Sequence, residues 1–199
     1  MNIAIVDSGI HEGHPHVGAI AGGVSFAGGD SIDRLGHGTA VAGAIREKAP
    51  EASLYAVKIF DRRLSAEIDT IVRALEWCRE QRMDLMNLSL GTANEEHRER
   101  FARVVGSEMV VVSVAGMLPG TLDGVIAVAA DPECPRDRFR FRDGVFYASP
   151  YPRPIPGVAV ERNLRGASFA VANMTGFAAR ALALAGREGL LTALIRQAV

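Results

Sequence analysis

The segment Ile3-Ala4-Ile5-Val6-Asp7-Ser8-Gly9-Ile10 joins four apolar residues to a polar turn. A short run that is apolar on both faces is typical of a central strand covered by helices on each side of a sheet. Similar runs alternate with helical stretches along the chain, which is the pattern of a parallel sheet with crossover helices. The sequence therefore predicts a three-layer α/β fold with a mostly parallel, doubly wound sheet.

The remaining elements are predicted from apolar periodicity. Residues 66–81 place apolar side chains close to every 3.6 positions, as an amphipathic helix requires. Residues 132–163 are rich in arginine and proline, so we expect irregular structure with short β pieces there, within one domain spanning 1–199. The predicted strands are Ile3–Val6, Ser53–Ile59, Leu85–Leu88, Met109–Val114 and Val125–Ala129; the predicted helices are His37–Arg46, Ala66–Gln81, Glu95–Val105, Ser168–Leu184 and Glu188–Ala198.

Composition narrows the classes of function. The chain has 199 residues, 48% hydrophobic and 23% charged, with a net charge of -1, which gives no reason to expect nucleic acid or an anionic membrane as partner. No apolar run approaches the length of about 20 residues that a membrane span requires. Cys78 and Cys134 are too few for a disulfide framework, so we expect reduced, structural thiols. With no signal-peptide pattern at the start, we expect a cytoplasmic protein.

Three reactive side chains stand at predicted element boundaries. Asp7 ends a strand, on the side of a parallel sheet where ligands bind. His37 opens a helix of small residues, and Ser168 opens an apolar one. Taken singly, they read as a structural cap, a surface histidine and an N-cap. Taken together, they fit the orienting acid, base and nucleophile of a catalytic triad.

In sequence order, these segments resemble the subtilisin-like serine proteases, the subtilase family. Its nucleophile motif is close to Gly166-Ala167-Ser168-Phe169-Ala170 with Gly176, and its triad runs in the order Asp, His, Ser. Further segments resemble its core strands and one of its helices: Ala52–Lys58, Leu75–Trp77, Met83–Gly91 and Val125–Val128.

The resemblance implies roles for individual residues. Asp7 would orient the imidazole of His37, and His37 would take the proton of Ser168 as it attacks a peptide carbonyl. Extended substrate would add as a strand. The implied substrate-binding residues around the P1 side chain are Ser89, Leu90, Gly91, Ala115 and Gly116. The family also binds substrate along a strand that corresponds to residues near Ser65. Glycines are usual in that strand, so the bulkier residues here would narrow that side of the substrate groove. No cofactor is implied.

One residue departs from the family at a position that matters for rate. Its Ala-Gly-Asn segment, whose asparagine donates to the oxyanion, reads Ala115-Gly116-Met117 here. A thioether has no hydrogen to donate. The N–H of Ser168 would remain in the oxyanion region, so we expect a slow enzyme. Asn163 and Asn173 are candidates for a substitute donor. Ala172 and Asp123 also stand where the family has prolines.

Other departures are deletions and a histidine-rich loop. We expect a minimal core without propeptide or calcium loop, whose stability or regulation depends on a protein partner or on a homo-oligomer. His11, His14, His16 and Glu12 lie close in sequence, but they lack helical metal-ligand spacing, so we expect no metal.

The function predicted from sequence is a subtilisin-like endopeptidase acting on a peptide or protein, slow or selective for a restricted peptide or precursor. Two alternatives stay open. The first is a catalytically silent subtilase-like module that binds an extended peptide or protein partner. The second is a serine esterase or acyl-transfer enzyme that uses the same triad.

Overall fold

The computed structural model describes residues 1–106 and 109–199 and contains an eight-stranded sheet. Its order is β2-β3-β1-β4-β5-β6-β8-β7, and every pairing is parallel except that of β7 with β8. The strands are β1 Asn2–Asp7, β2 Gly22–Ser25, β3 Ser53–Lys58, β4 Leu85–Leu88, β5 Val110–Val114, β6 Val125–Ala130, β7 Phe139–Arg142 and β8 Val145–Ala148.

In the described part of the chain, four α-helices cover the two faces of this sheet. They are α1 His37–Lys48, α2 Ile68–Glu80, α3 Arg98–Val104 and α4 Ala167–Gln197. Alternate side chains of β1 separate two apolar clusters: Ile3 and Ile5 pack with α1 and α4, and Ala4 and Val6 pack with α2 and α3. Burial on both faces confirms the predicted three-layer α/β fold.

Strand β1 lies in the sheet between β3 and β4. From β1 the strand order runs to β3 and β2 on one side and to β4, β5 and β6 on the other. A reversal of strand order of this kind opens a crevice at the carboxyl ends of the strands. Asp7 ends β1 and is fully buried, so its carboxylate lies at the base of that crevice.

Helix α4 corresponds to both helices predicted near the end of the chain, Ser168–Leu184 and Glu188–Ala198. Its backbone is non-helical at Gly186 (φ 66°, ψ 177°), so a kink separates the two where the prediction leaves a gap. By length and hydropathy α4 resembles a membrane span, which differs from the expectation that no apolar run is long enough. However, 67% of its most apolar 18-residue window is buried in the protein, which is typical of a core helix.

The structure also corrects the predicted strands and helix starts. Strand β2 was not predicted, because Gly-Gly-Val-Ser has little strand propensity. The β7–β8 hairpin turns through Asp143 and Gly144, at φ 52° and 79°, as expected for an Asp-Gly turn. Residues 64–66 form no strand, and α2 begins at Ile68, two residues later than predicted. The segment predicted as one helix from Glu95 is a 3₁₀ turn, Glu95–His97, followed by α3.

Candidate active site

The end of β1 and the start of α1 bring Asp7 and His37 together. His37 Nδ1 lies 2.7 Å from Asp7 Oδ1. Burial opposes a positive charge on His37, but the hydrogen bond to Asp7 and the charges of Asp7 and Asp33 outweigh it and raise its pKa. The acid therefore holds the ring in place and favours its protonated form, as an orienting partner does.

A glycine allows these two elements to approach so closely. A Cβ added at Gly38 would lie 2.2 Å from the Gly9 carbonyl oxygen and 3.2 Å from Asp7 Cβ. The backbone N–H of Gly38 donates to Ser8 Oγ at 2.9 Å, and Ser8 N–H donates to Asp7 Oδ1 at 2.8 Å. These two hydrogen bonds hold the first turn of α1 against the end of β1.

A second buried carboxylate, which the sequence analysis did not single out, is linked by hydrogen bonds to the segments that carry this pair. Asp33 Oδ1 accepts from Ser8 Oγ at 2.8 Å and from the N–H groups of Leu35 and Gly36 at 2.9 Å. Its Oδ2 accepts from Thr39 N–H at 2.9 Å and from Thr39 Oγ1 at 2.6 Å. Burial alone would raise the pKa of Asp33, but these hydrogen bonds lower it.

A local signal for Asp33 was present in the sequence. An aspartate shortly before a helix, in a loop with glycine, often accepts from nearby backbone N–H groups. Its contacts with Leu35, Gly36 and Thr39 are of this local type, whereas Ser8 is 25 residues away in the chain.

Ser168 is the second residue of α4, and the next residue, Phe169, lies against His37. The ring of Phe169 is 5.4 Å from the His37 ring, centroid to centroid. Ser168 Oγ donates to the Ser89 carbonyl oxygen at 3.2 Å. Within 1–106 and 109–199 no hydrogen bond joins Ser168 to His37. The base therefore contacts the residue that follows the serine, and the serine hydroxyl is bonded to Ser89 instead of to His37.

Neutral polar groups fix the backbone under Ser168. Ser89 Oγ donates to the Ser168 carbonyl oxygen at 3.1 Å and accepts from Asn87 Nδ2 at 2.8 Å. Thr175 Oγ1 lies 2.9 Å from Asn87 Oδ1 and 2.8 Å from the Val171 carbonyl oxygen. Because Asn87 and Thr175 are fully buried, these bonds anchor the start of α4 to the end of β4.

The predicted substrate-binding residues follow two neighbouring strands. Ser89, Leu90 and Gly91 continue β4, and Ala115, Gly116 and Met117 continue β5, its parallel partner. A Cβ added at Gly91 would lie 2.8 Å from Met117 Cβ, so these runs are in contact. Ser65, in contrast, lies in an exposed, irregular segment rather than in a strand.

The oxyanion region contains Met117, whose side chain is 39% exposed. The side-chain amides of both candidate substitute donors, Asn163 and Asn173, donate to backbone carbonyl oxygens in other segments. Asn173 Nδ2 donates to the carbonyl oxygens of Ser149 and Tyr151, at 2.9 and 3.0 Å. Asn163 Nδ2 donates to the Arg153 carbonyl oxygen at 3.3 Å. Asn173 thus uses both hydrogens of its amide, and Asn163 uses one of its two. The N–H of Ser168, in the first turn of α4, is one of the donors that a helix start leaves without an intrahelical partner.

The three histidines of the loop after β1 line a cavity of about 530 Å³ with Asp33 and several arginines. His14 and His16 meet edge to face at 5.3 Å, and His16 N–H donates to His14 Nδ1. Burial and the charge of Arg153 lower the pKa of His16. In the described part of the chain, no three His, Cys, Asp or Glu side chains converge as metal ligands.

Known proteins resemble this chain over most of its length. A profile of the subtilase family matches residues 1–131, which contain Asp7, His37 and Met117 but not Ser168. Subtilisin E of Bacillus subtilis (strain 168) is 30% identical over 203 residues, covering 89% of this chain and 52% of that protein. Subtilisin of Bacillus pumilus is 30% identical over 203 residues, covering 89% of this chain and 72% of that protein.

A third relative matches a shorter part. The thermostable alkaline protease of Halalkalibacterium halodurans is 34% identical over 148 residues, covering 64% of this chain and 40% of that protein. The chain spans about half the length of Subtilisin E and of the similar Subtilisin NAT of Bacillus subtilis subsp. natto.

Proposed function

Because this chain belongs to the subtilase family, we propose that it is a serine endopeptidase that hydrolyses peptide bonds through Asp7, His37 and Ser168. The observation that carries the proposal is the 2.7 Å contact between His37 and the buried Asp7, next to the start of the helix that bears Ser168. An imidazole held by a buried carboxylate beside a serine is the arrangement that activates a hydroxyl nucleophile.

The proposed reaction begins with a change at Ser168. Its Oγ leaves the Ser89 carbonyl oxygen and donates to His37 Nε2 once substrate is bound, since such bonds are often long or misaligned without substrate. His37 then takes the proton as Ser168 attacks the peptide carbonyl, and later delivers it to the leaving amine. Asp7 keeps the tautomer with its proton on Nδ1 and stabilises the imidazolium.

The oxyanion side makes this enzyme slow. Ser168 N–H supplies one donor at a helix N-terminus, where the helix dipole also favours negative charge. Met117 supplies no second donor, and the amides of Asn163 and Asn173 are engaged elsewhere. Loss of one such donor costs about 10²–10³ in kcat in a subtilisin, so a substantial acceleration over the uncatalysed reaction would still remain.

The specific observation behind the alternative function is Met117 itself. Its side chain lies against Gly91, between the two runs that would flank a bound peptide. A module that only binds an extended peptide needs those runs but no oxyanion donor. In that case the Asp7–His37 contact would be a structural ion pair.

Covalent labelling distinguishes the two functions. A fluorophosphonate reacts with an activated serine, so the proposed enzyme should carry the adduct on Ser168, mapped by mass spectrometry of its peptides. Labelling should be lost in Ser168→Ala and His37→Ala and retained in Ser25→Ala, whose hydroxyl bonds to Gly28 in a surface loop. Absence of any adduct on Ser168 in the unmodified protein would favour the binding module.

A further inference from the structure

We propose that Asp33 is a positioning residue of this site, which joins the segments bearing Asp7 and His37 and places a second carboxylate near the imidazole. The inference rests on the proposed function for its effect on rate. Its effect on His37 does not require turnover.

The first ground is the way Asp33 is held. Asp33 is only 7% exposed, and its carboxylate accepts five hydrogen bonds. Among the described residues, no cation lies within ion-pair distance of this carboxylate. A buried carboxylate satisfied by neutral donors keeps its negative charge, because each donor stabilises the ionised form. Asp33 therefore contributes a fixed charge as well as a cap.

The second ground is the path from Asp33 to both triad segments. Ser8 Oγ donates to Asp33 and accepts from the N–H of Gly38, the residue after His37. Ser8 also follows Asp7 directly and donates its own N–H to the Asp7 carboxylate. Asp33 thus orients the hydroxyl of Ser8 so that its lone pair faces α1. Without this acceptor, the hydroxyl is free to rotate.

The third ground is the set of charges near His37. The carboxylates of Asp7, on β1, and Asp33, in the loop before α1, both favour its protonated form. Two cations lie in the same region. Arg34 is paired with the exposed Asp30, and Lys58, at the end of β3, donates to the Ile32 carbonyl oxygen and lies 3.4 Å from Asp61. From α4 the imidazole meets the uncharged ring of Phe169.

The test is an NMR titration of the His37 imidazole in three proteins. Asp33→Asn keeps the size of the side chain and removes its charge, so the His37 midpoint should fall by roughly half a pH unit or more. The matched control is Asp30→Asn, which removes a carboxylate from the same loop that pairs with Arg34 at the surface. It should leave the His37 midpoint where it is. Equal midpoints in Asp33→Asn and Asp30→Asn would overturn the proposal.

A second variant tests the positioning role and covers the case in which Asp33→Asn does not fold. Ser8→Ala removes the bridging hydroxyl and leaves Asp33 with its other four donors. The His37 midpoint should then stay unchanged, while kcat on a peptide substrate falls about tenfold to a hundredfold with little change in KM. An unchanged kcat would overturn the positioning role.

The two proposals fail in distinguishable ways. If fluorophosphonate never labels Ser168, the proposed function fails, but the His37 titration still reports whether Asp33 acts on the imidazole. If Ser168 is labelled and the His37 midpoint ignores Asp33→Asn, only the role of Asp33 is lost.

Discussion

The half of the site that carries Asp7 and His37 is held by charged groups, whereas the half that carries Ser168 is held by neutral ones. In the first half, two buried carboxylates accept the hydrogen bonds that bring β1 and α1 together. In the second, Ser89, Asn87 and Thr175 exchange uncharged hydrogen bonds beneath the start of α4. The charges of the first half raise the pKa of His37. The hydrogen bonds of the second half fix the position of the backbone at Ser168.

The departure that bears on the oxyanion falls on the neutral half. Met117 faces Gly91 where a donor would serve the oxyanion, while the contact between Asp7 and His37 is present at 2.7 Å. We therefore expect a site whose base works and whose charge stabilisation is weak. Substitutions in each half measure this difference between a working base and weak oxyanion stabilisation.

The largest effect is expected from His37→Ala, which removes the base from the charged half. We expect kcat to fall by at least about 10³-fold, because without the imidazole no group takes the proton of Ser168. Turnover of a fluorogenic peptide, with Ser25→Ala as the unaffected variant, measures the loss. A variant that keeps its rate within tenfold would show that His37 is not the base.

The next effect repairs the neutral half. Met117→Asn should raise kcat by about 10²–10³, since it returns one donor to the oxyanion. The matched variant Met117→Leu changes the side chain without adding a donor and should give no gain. An equal rate in both variants would mean that the missing donor does not limit this protein.

A third change disrupts the close approach of β1 and α1 in the charged half. Gly38→Ala places a Cβ against the Gly9 carbonyl oxygen, and we expect a loss of about 2–3 kcal/mol in the free energy of unfolding. The control is Gly106→Ala, whose added Cβ has no neighbour within 4 Å among residues 1–106 and 109–199 and should change stability by about 0.5 kcal/mol or less. Urea unfolding measures both. Equal stability in the two variants would contradict the close approach of β1 and α1.

The smallest effect is a shift in pH dependence. The pKa of His37 is raised above 6.5 by Asp7 and Asp33, so kcat/KM should rise with pH through a midpoint above 6.5, as the imidazole becomes neutral. Stability moves the opposite way. The pairing of protonated His37 stabilises the fold fully below 6.5, and this contribution is lost as pH rises through the raised pKa. A kinetic midpoint below 6.5 would show that burial outweighs the two carboxylates.

Local patterns predicted much of the fold. Apolar runs predicted five of the central strands to within one or two residues, and the small-residue stretch predicted α1 from its first residue, His37. Short β pieces were predicted within 132–163, and β7 and β8 are such pieces. Their pairing as a hairpin through Asp143-Gly144 was not predicted, because the surrounding prolines and arginines favoured irregular structure. The edge strand β2 carries no such signal, since its pairing with β3 rather than its own residues makes it a strand.

The sequence by itself determined the order of the central strands and main helices, the candidate triad residues and the replacement of a donor by Met117, because each depends on residue type within a short segment. Only the tertiary structure decided that Asn163 and Asn173 are engaged elsewhere, that Ser168 bonds to Ser89, and that Asp33 reaches Ser8. Such contacts join residues up to 79 positions apart. A hydrogen bond depends on distance and direction, which exist only once the sheet has brought the ends of its strands together.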